Sequence, residues 1–185
     1  MKLDKETLRD LIDERLPRGQ VRAIQSAFKD TDRFDKYIEI LQERVPWEDR
    51  IVLPFGEHLY VTIPSAGKPA DGSTEGAGKP ADVSTEGAMY VVKCDCGHDF
   101  CDYRENWKLE ALIHVRETEE ELLELYPEKM HGDPRWSTLR EYFCPGCKTL
   151  LEVEAVPPGY PVVHDFVPDL EGFYEVWLGR ELPAV

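Results

Sequence analysis

Cys94-Asp95-Cys96-Gly97-His98 and Cys144-Pro145-Gly146-Cys147 decide how this chain is read. Each stretch sets two soft ligands at the tip of a β-hairpin pattern. Zinc takes four ligands tetrahedrally, with thiolates at about 2.3 Å, and two facing hairpin tips supply four at small conformational cost. The spacing predicts a zinc ribbon with Cys94, Cys96, Cys144 and Cys147 as ligands. Cys101 could replace Cys94 or Cys96, and His98 could also reach the metal, so both stand as alternatives. Four thiolates leave no open position for water or substrate, which favours a structural zinc over a catalytic one.

The cysteine count supports metal over disulfides, because five is odd and the thiols sit in two tight groups. Reduced thiols, an N-terminus without a signal peptide's apolar core and no membrane-length apolar run predict a cytoplasmic protein. A chain of 185 residues, 42% hydrophobic and 32% charged, is long enough for one real core with an appendage. Its net charge of −15 repels phosphate backbones and anionic lipid surfaces, which argues against nucleic acid and membrane partners.

Outward from the knuckles the pattern is α+β: N-terminal helices over 1–50, a β-rich zinc-ribbon-like region over 51–157, and an extended aromatic tail over 158–185. Leu8, Leu11, Ile12 and Leu16 form a helical stripe capped by Asp4, with Pro17 and Gly19 expected to stop it. Phe34, Tyr37, Ile38, Leu41 and Val45 form a second stripe that Pro46 ends. Strand patterns cover Ile51–Leu53 before Pro54, His58–Ile63, Met89–Lys93, Ala111–Val115 and the two runs flanking Pro145-Gly146. Thr118 and Glu121 form a capping box.

Between the second and third strands lies an 11-residue tandem duplication, Gly67–Ala77 and Gly78–Ala88, with Gly72 replaced by Val83. Its Gly, Pro and Ser content predicts a flexible loop, spanning 64–88. Gly78-Lys79 does not make a phosphate loop, because Ser73 and Pro80 stand where that motif needs glycine and a hydroxyl. A dithiol oxidoreductase based on Cys144 and Cys147 is also disfavoured. The residues after Cys147 read as a strand, so no helix N-terminus is available to acidify a thiol. His114 in its apolar run reads as structural. His164 and Asp165, adjacent on an extended chain, point to opposite faces and make no acid–base pair. No catalytic set emerges.

Longer runs add a resemblance. Cys94-Asp95-Cys96-Gly97-His98-Asp99-Phe100-Cys101, Asn106-Trp107-Lys108-Leu109, His114-Val115-Arg116 and Arg140-Glu141-Tyr142-Phe143-Cys144-Pro145 resemble the small zinc-binding subunit of the acetone carboxylase family. So do Tyr160-Pro161-Val162, His164-Asp165-Phe166, Glu171-Gly172-Phe173-Tyr174, Trp177-Leu178-Gly179, and, near the N-terminus, Tyr37 to Arg44 with Pro46-Trp47. The resemblance implies a noncatalytic zinc-binding subunit of a biotin-independent, ATP-dependent ketone carboxylase, a ligase joining bicarbonate to acetone or acetophenone. Larger partner subunits, related to hydantoinases, would carry ATP, the other metals and the substrate chemistry. The duplication departs from the family pattern, which joins those strands by a shorter connection, and the reading leans to the acetophenone type. A freestanding zinc-ribbon interaction module is the alternative, with a thiol oxidoreductase behind it. Phe166, Phe173, Tyr174 and Trp177 are the residue types expected at a docking surface.

Overall fold

The computed structural model describes residues 1–65, 90–127 and 130–185; the tandem repeat lies outside them. Three helices lead: α1 (Lys5–Ile12), α2 (Arg18–Ser26) and α3 (Arg33–Arg44). Asp4 caps α1, its carboxylate accepting from Thr7 N–H at 2.7 Å. The helix ends earlier than its apolar stripe suggested, because Glu14 turns the chain at φ 56°. Leu16 then packs beside the helix cluster from outside α1, and Pro17 opens α2 instead of closing α1. Gly19 lies within α2. Leu3, Leu8, Ile24 and Ile40 make the helical core. The next residue of α3, Leu41, packs instead with Ile51 and Tyr60, which couples the helices to the first sheet.

That sheet is antiparallel, β1 (Arg50–Gly56), β2 (Leu59–Ile63), β3 (Val91–Cys94) and β4 (Asp99–Asp102), in that order. Pro54 does not end β1. A proline lacks an N–H, which an edge strand tolerates, and the register shifts on either side of it. The second sheet has β5 (Leu112–Arg116), β6 (Thr138–Phe143) and β7 (Leu150–Val156), also antiparallel. Between β5 and β6 lies α4 (Glu119–Leu123), opened by the reciprocal Thr118–Glu121 capping box. Leu59, Val92, Cys94, Trp107, Tyr142, Cys144 and Leu151 form a core spanning both sheets. Cys94 and Cys144 are therefore core residues before any metal is considered.

The tail folds back on the chain itself. Arg140 holds the carbonyls of Tyr160 and Pro161, and Asn106 Nδ2 donates to Val162 O at 3.4 Å. After a short turn, α5 (Leu170–Gly172), Phe173–Trp177 form a π-helical turn. Leu170 and Tyr174 are buried against Val52, Val61 and Ile63, and Tyr174 Oη donates to Val52 O at 2.8 Å. Burial of such a side chain is worth about 1.5–3 kcal/mol. Trp177 stays 80% exposed. The aromatic tail thus divides, with Tyr174 in the core and Trp177 outside.

Candidate metal centre

The first knuckle is the turn from β3 to β4. Cys94 N–H donates to His98 O at 2.9 Å and Gly97 N–H to Cys94 O at 2.8 Å. Gly97 has φ 94°, and a Cβ there would stand 3.0 Å from Trp47 Cδ1, so both backbone and neighbour demand glycine. Trp47 Nε1 donates to Cys94 O at 3.2 Å and Asp95 O at 2.9 Å. The second knuckle joins β6 to β7: Cys144 N–H donates to Thr149 O and Lys148 N–H to Cys144 O, each at 2.9 Å. A Cβ on Gly146 would lie 3.3 Å from Cys96 Sγ and 3.2 Å from His98 Cβ, a measure of how closely the tips approach.

The structure brings the four named thiols together. Cys94 and Cys147 sulfurs are 3.8 Å apart, Cys96 and Cys144 sulfurs 3.7 Å, and all four lie within 4.8 Å of one another. A tetrahedron of sulfurs about 2.3 Å from its centre has edges of about 3.8 Å, so the donor set fits a tetrahedral ion. Hydrogen bonding from the backbone N–H groups of Cys96, His98 and Thr149 acts to lower the thiols of Cys94, Cys96 and Cys147 respectively. Such bonds favour thiolate. Burial works against it at Cys94 and Cys96, pushing both thiols up, whereas the Thr149 side chain brings Cys147 down to about 6. A cation entering this cluster replaces the remaining protons.

The two alternative ligands are placed elsewhere. His98 packs its ring against Phe100, with centroids 5.0 Å apart, and is not in the sulfur cluster. Cys101 Sγ faces Glu105 O at 3.8 Å. Cys144 and Cys147 sit on a strand-to-strand turn, so the helix N-terminus that a dithiol oxidoreductase uses is missing from this turn.

Two buried lysines are held by carboxylates, Lys93 beside the first knuckle and Lys108 against β7, and neither was singled out as a functional residue in the sequence. Lys93, 1% exposed, pairs with Asp49 at 2.8 Å and with Asp99, and lies 5.5 Å from the Trp47 ring centroid. Burial disfavours its charge, but the two carboxylates outweigh burial and raise its pKa. Lys108, fully buried, donates to Glu152 at 2.7 Å and Glu154 at 2.5 Å and pairs with Asp165 at 2.6 Å. Those three carboxylates also lie close enough to hold a cation, and the Lys108 ammonium already sits among them. The signal was present in the sequence: Glu152 and Glu154 two apart on a strand share a face and call for a counter-charge.

The remaining histidines divide. His114, expected to be structural within an apolar run, is exposed on β5. His164 lines a cavity of about 50 Å³ with Phe55, Trp107 and Asp165, its Nε2 buried without a partner, while Asp165 turns to Lys108. Asp165 thus pairs with Lys108 and not with His164 Nε2.

Comparison with known proteins gives these features a family. A profile described as acetone carboxylase gamma subunit matches residues 81–178. The acetone carboxylase gamma subunit of Xanthobacter autotrophicus is 44% identical over 174 residues, covering 94% of this chain and 92% of that protein. The acetophenone carboxylase beta subunit of Aromatoleum aromaticum is 30% identical over 83 residues, 42% of this chain and 61% of that protein. Spanning both knuckles and extending across nearly the whole length, this similarity shows that the chain belongs to the acetone carboxylase gamma subunit family.

Proposed function

We propose that this chain is the noncatalytic, zinc-binding small subunit of an ATP-dependent ketone carboxylase, with Cys94, Cys96, Cys144 and Cys147 as the zinc ligands. The observation that carries the reading is the sulfur tetrahedron at the hairpin tips, whose 3.7 and 3.8 Å edges suit zinc–thiolate bonds. Zinc there supplies a cross-link between the two sheets and no reactive position. The chain's own residues supply the support: Trp47 ties the first knuckle to the end of α3, and Lys93 with Asp49 anchors β3 to the start of β1.

Acetone is favoured over acetophenone as the ketone of the complex, because the similarity to the acetone carboxylase relative is higher and covers more than twice as much of the chain. This reverses the lean drawn from the duplication. ATP and other metals belong to larger partner subunits. Thiolate chemistry and the lack of an apolar helix long enough to cross a membrane among the described residues fit a cytoplasmic site of action. The segments 1–50, 51–157 and 158–185 are read as a helical brace, the zinc-ribbon region and a tail with an outward tryptophan.

Metal analysis and activity assays test this together. The purified chain is expected to carry about one zinc per chain and to hydrolyse no ATP with acetone and bicarbonate until the larger subunits are added. Ketone-dependent ATP hydrolysis by the isolated chain overturns the noncatalytic reading, and an absence of stoichiometric metal overturns the zinc assignment.

A further inference from the structure

Two of the four edge strands among the described residues are guarded. β1 carries Pro54 and two register shifts, and β4 is short, begins and ends in aspartate, and joins β3 through an irregular register. Such features discourage strand addition. β5 has none of them. Its sequence is Leu-Ile-His-Val-Arg, it pairs with β6 through five consecutive residues without a shift, and among the described residues its other edge is open in the sheet order. Leu112, Ile113, His114 and Val115 are all exposed, the three aliphatic residues by 44, 40 and 38%. Because successive side chains point to opposite faces, exposure of all four means that neither face of the strand is covered.

The surroundings specify the occupant. Leu112 stands across from Phe143 and Leu150, and His114 across from Glu141 and Val153, so exposed Leu150 and Val153 extend the apolar surface over the sheet. One end is acidic. Arg116 bonds Glu121 O at 3.0 Å and Glu124 at 2.6 Å, fixing α4 beside the strand with Glu119 and Glu120 exposed. A second copy of this chain would bring another −15 of charge and the same acidic rim, and like charge opposes that pairing. We infer that the β5 edge, its exposed sheet face and the α4 carboxylates together form a docking surface for an extended, apolar segment of the larger carboxylase subunit, flanked by lysine or arginine. Main-chain pairing along β5 supplies affinity, the apolar residues bury against the partner, and the acidic rim sets orientation. This inference rests on the subunit reading above.

The test uses the full chain and the larger subunits. Leu112→Glu with Val115→Glu is expected to weaken assembly by at least about tenfold, as loss of central apolar contacts does, with zinc content unchanged. Glu119→Lys with Glu120→Lys, on exposed positions that leave the fold intact, is expected to slow association and reduce its salt dependence. Amide exchange in β5 of the unaltered chain is expected to slow on assembly. Normal assembly of both variants, or unchanged exchange in β5, overturns the docking surface while leaving the subunit reading standing. Self-association of the isolated chain that the β5 variant abolishes also overturns it, in favour of copy-to-copy pairing. Failure of the unaltered chain to join any larger subunit defeats the subunit reading itself.

Discussion

At the hairpin tips four thiols stand within 4.8 Å of one another, whereas three carboxylates just as close, two on β7 and Asp165 of the tail, are met by the Lys108 ammonium. Ligand-type side chains are gathered in both places, and proximity alone does not separate them. Charge does. The carboxylate cluster carries a cation that is part of the chain, so its order needs nothing from solution. The sulfur cluster links the two sheets through donors whose strongest mode is as thiolates, and a cation to balance them would have to come from outside.

Removing the cation from each cluster is the most direct way to break this contrast. At the sulfur cluster, Cys94→Ser or a strong chelator should have the largest effect: metal loss and a fall in thermal midpoint, since structural zinc contributes on the order of 10 kcal/mol in isolated finger peptides. A midpoint insensitive to chelation would show that the core around Cys94 and Cys144 holds without metal. At the carboxylate cluster, Lys108→Met should cost about 3–5 kcal/mol in urea unfolding, because the remaining charges are left close together and partly buried. Calcium or magnesium should restore part of that loss in the variant and do little for the unaltered chain. A loss no larger than that of an exposed lysine would remove Lys108 from the argument.

Asp49 sharpens the comparison through pH. Burial pushes its carboxyl up, but Lys93 and the two Ser65 donors prevail and hold it below the ordinary 3.8. A lowered carboxyl contributes stability present above 3.8 and lost as the pH falls through its folded value. The partner Lys93 is raised above 10.5, so its contribution is complete below that value and fades as pH rises through the folded value. Asp49→Asn should therefore flatten the acid limb of stability below about pH 4; an unchanged limb would place acid sensitivity elsewhere. The smallest effect is expected from Glu152→Gln, below about 1 kcal/mol, since burial already raises this carboxyl and the amide keeps an acceptor for Lys108. A large loss there would mean that all three charges are needed.

Much of the local structure was legible because it depends on residues close in sequence. The Asp4 cap, the Thr118–Glu121 box and the hairpin tips are set by side chains that reach neighbouring backbone groups. Pro17 and Pro54 misled for the same reason. A proline has one local meaning within a helix and another at a helix start or a sheet edge, and which applies depends on what packs alongside. The tail aromatics, expected together at a docking surface, divide: Tyr174 and Trp177, three residues apart, face the core and the solvent respectively.

By itself the sequence determined that four cysteines stand at two hairpin tips, that helices precede strands, and which protein family the longer motifs resemble. Those properties follow from spacing, periodicity and residue identity. Only the tertiary structure decided that the tips face each other, that Cys101 and His98 stand outside the sulfur tetrahedron, that Lys108 fills the carboxylate cluster, and that both faces of β5 are exposed. The physical reason is distance along the chain. Cys94 meets Cys147, Trp47 meets Asp95 and Lys108 meets Glu154 across dozens of residues, and such meetings are fixed by how two sheets pack rather than by any local preference.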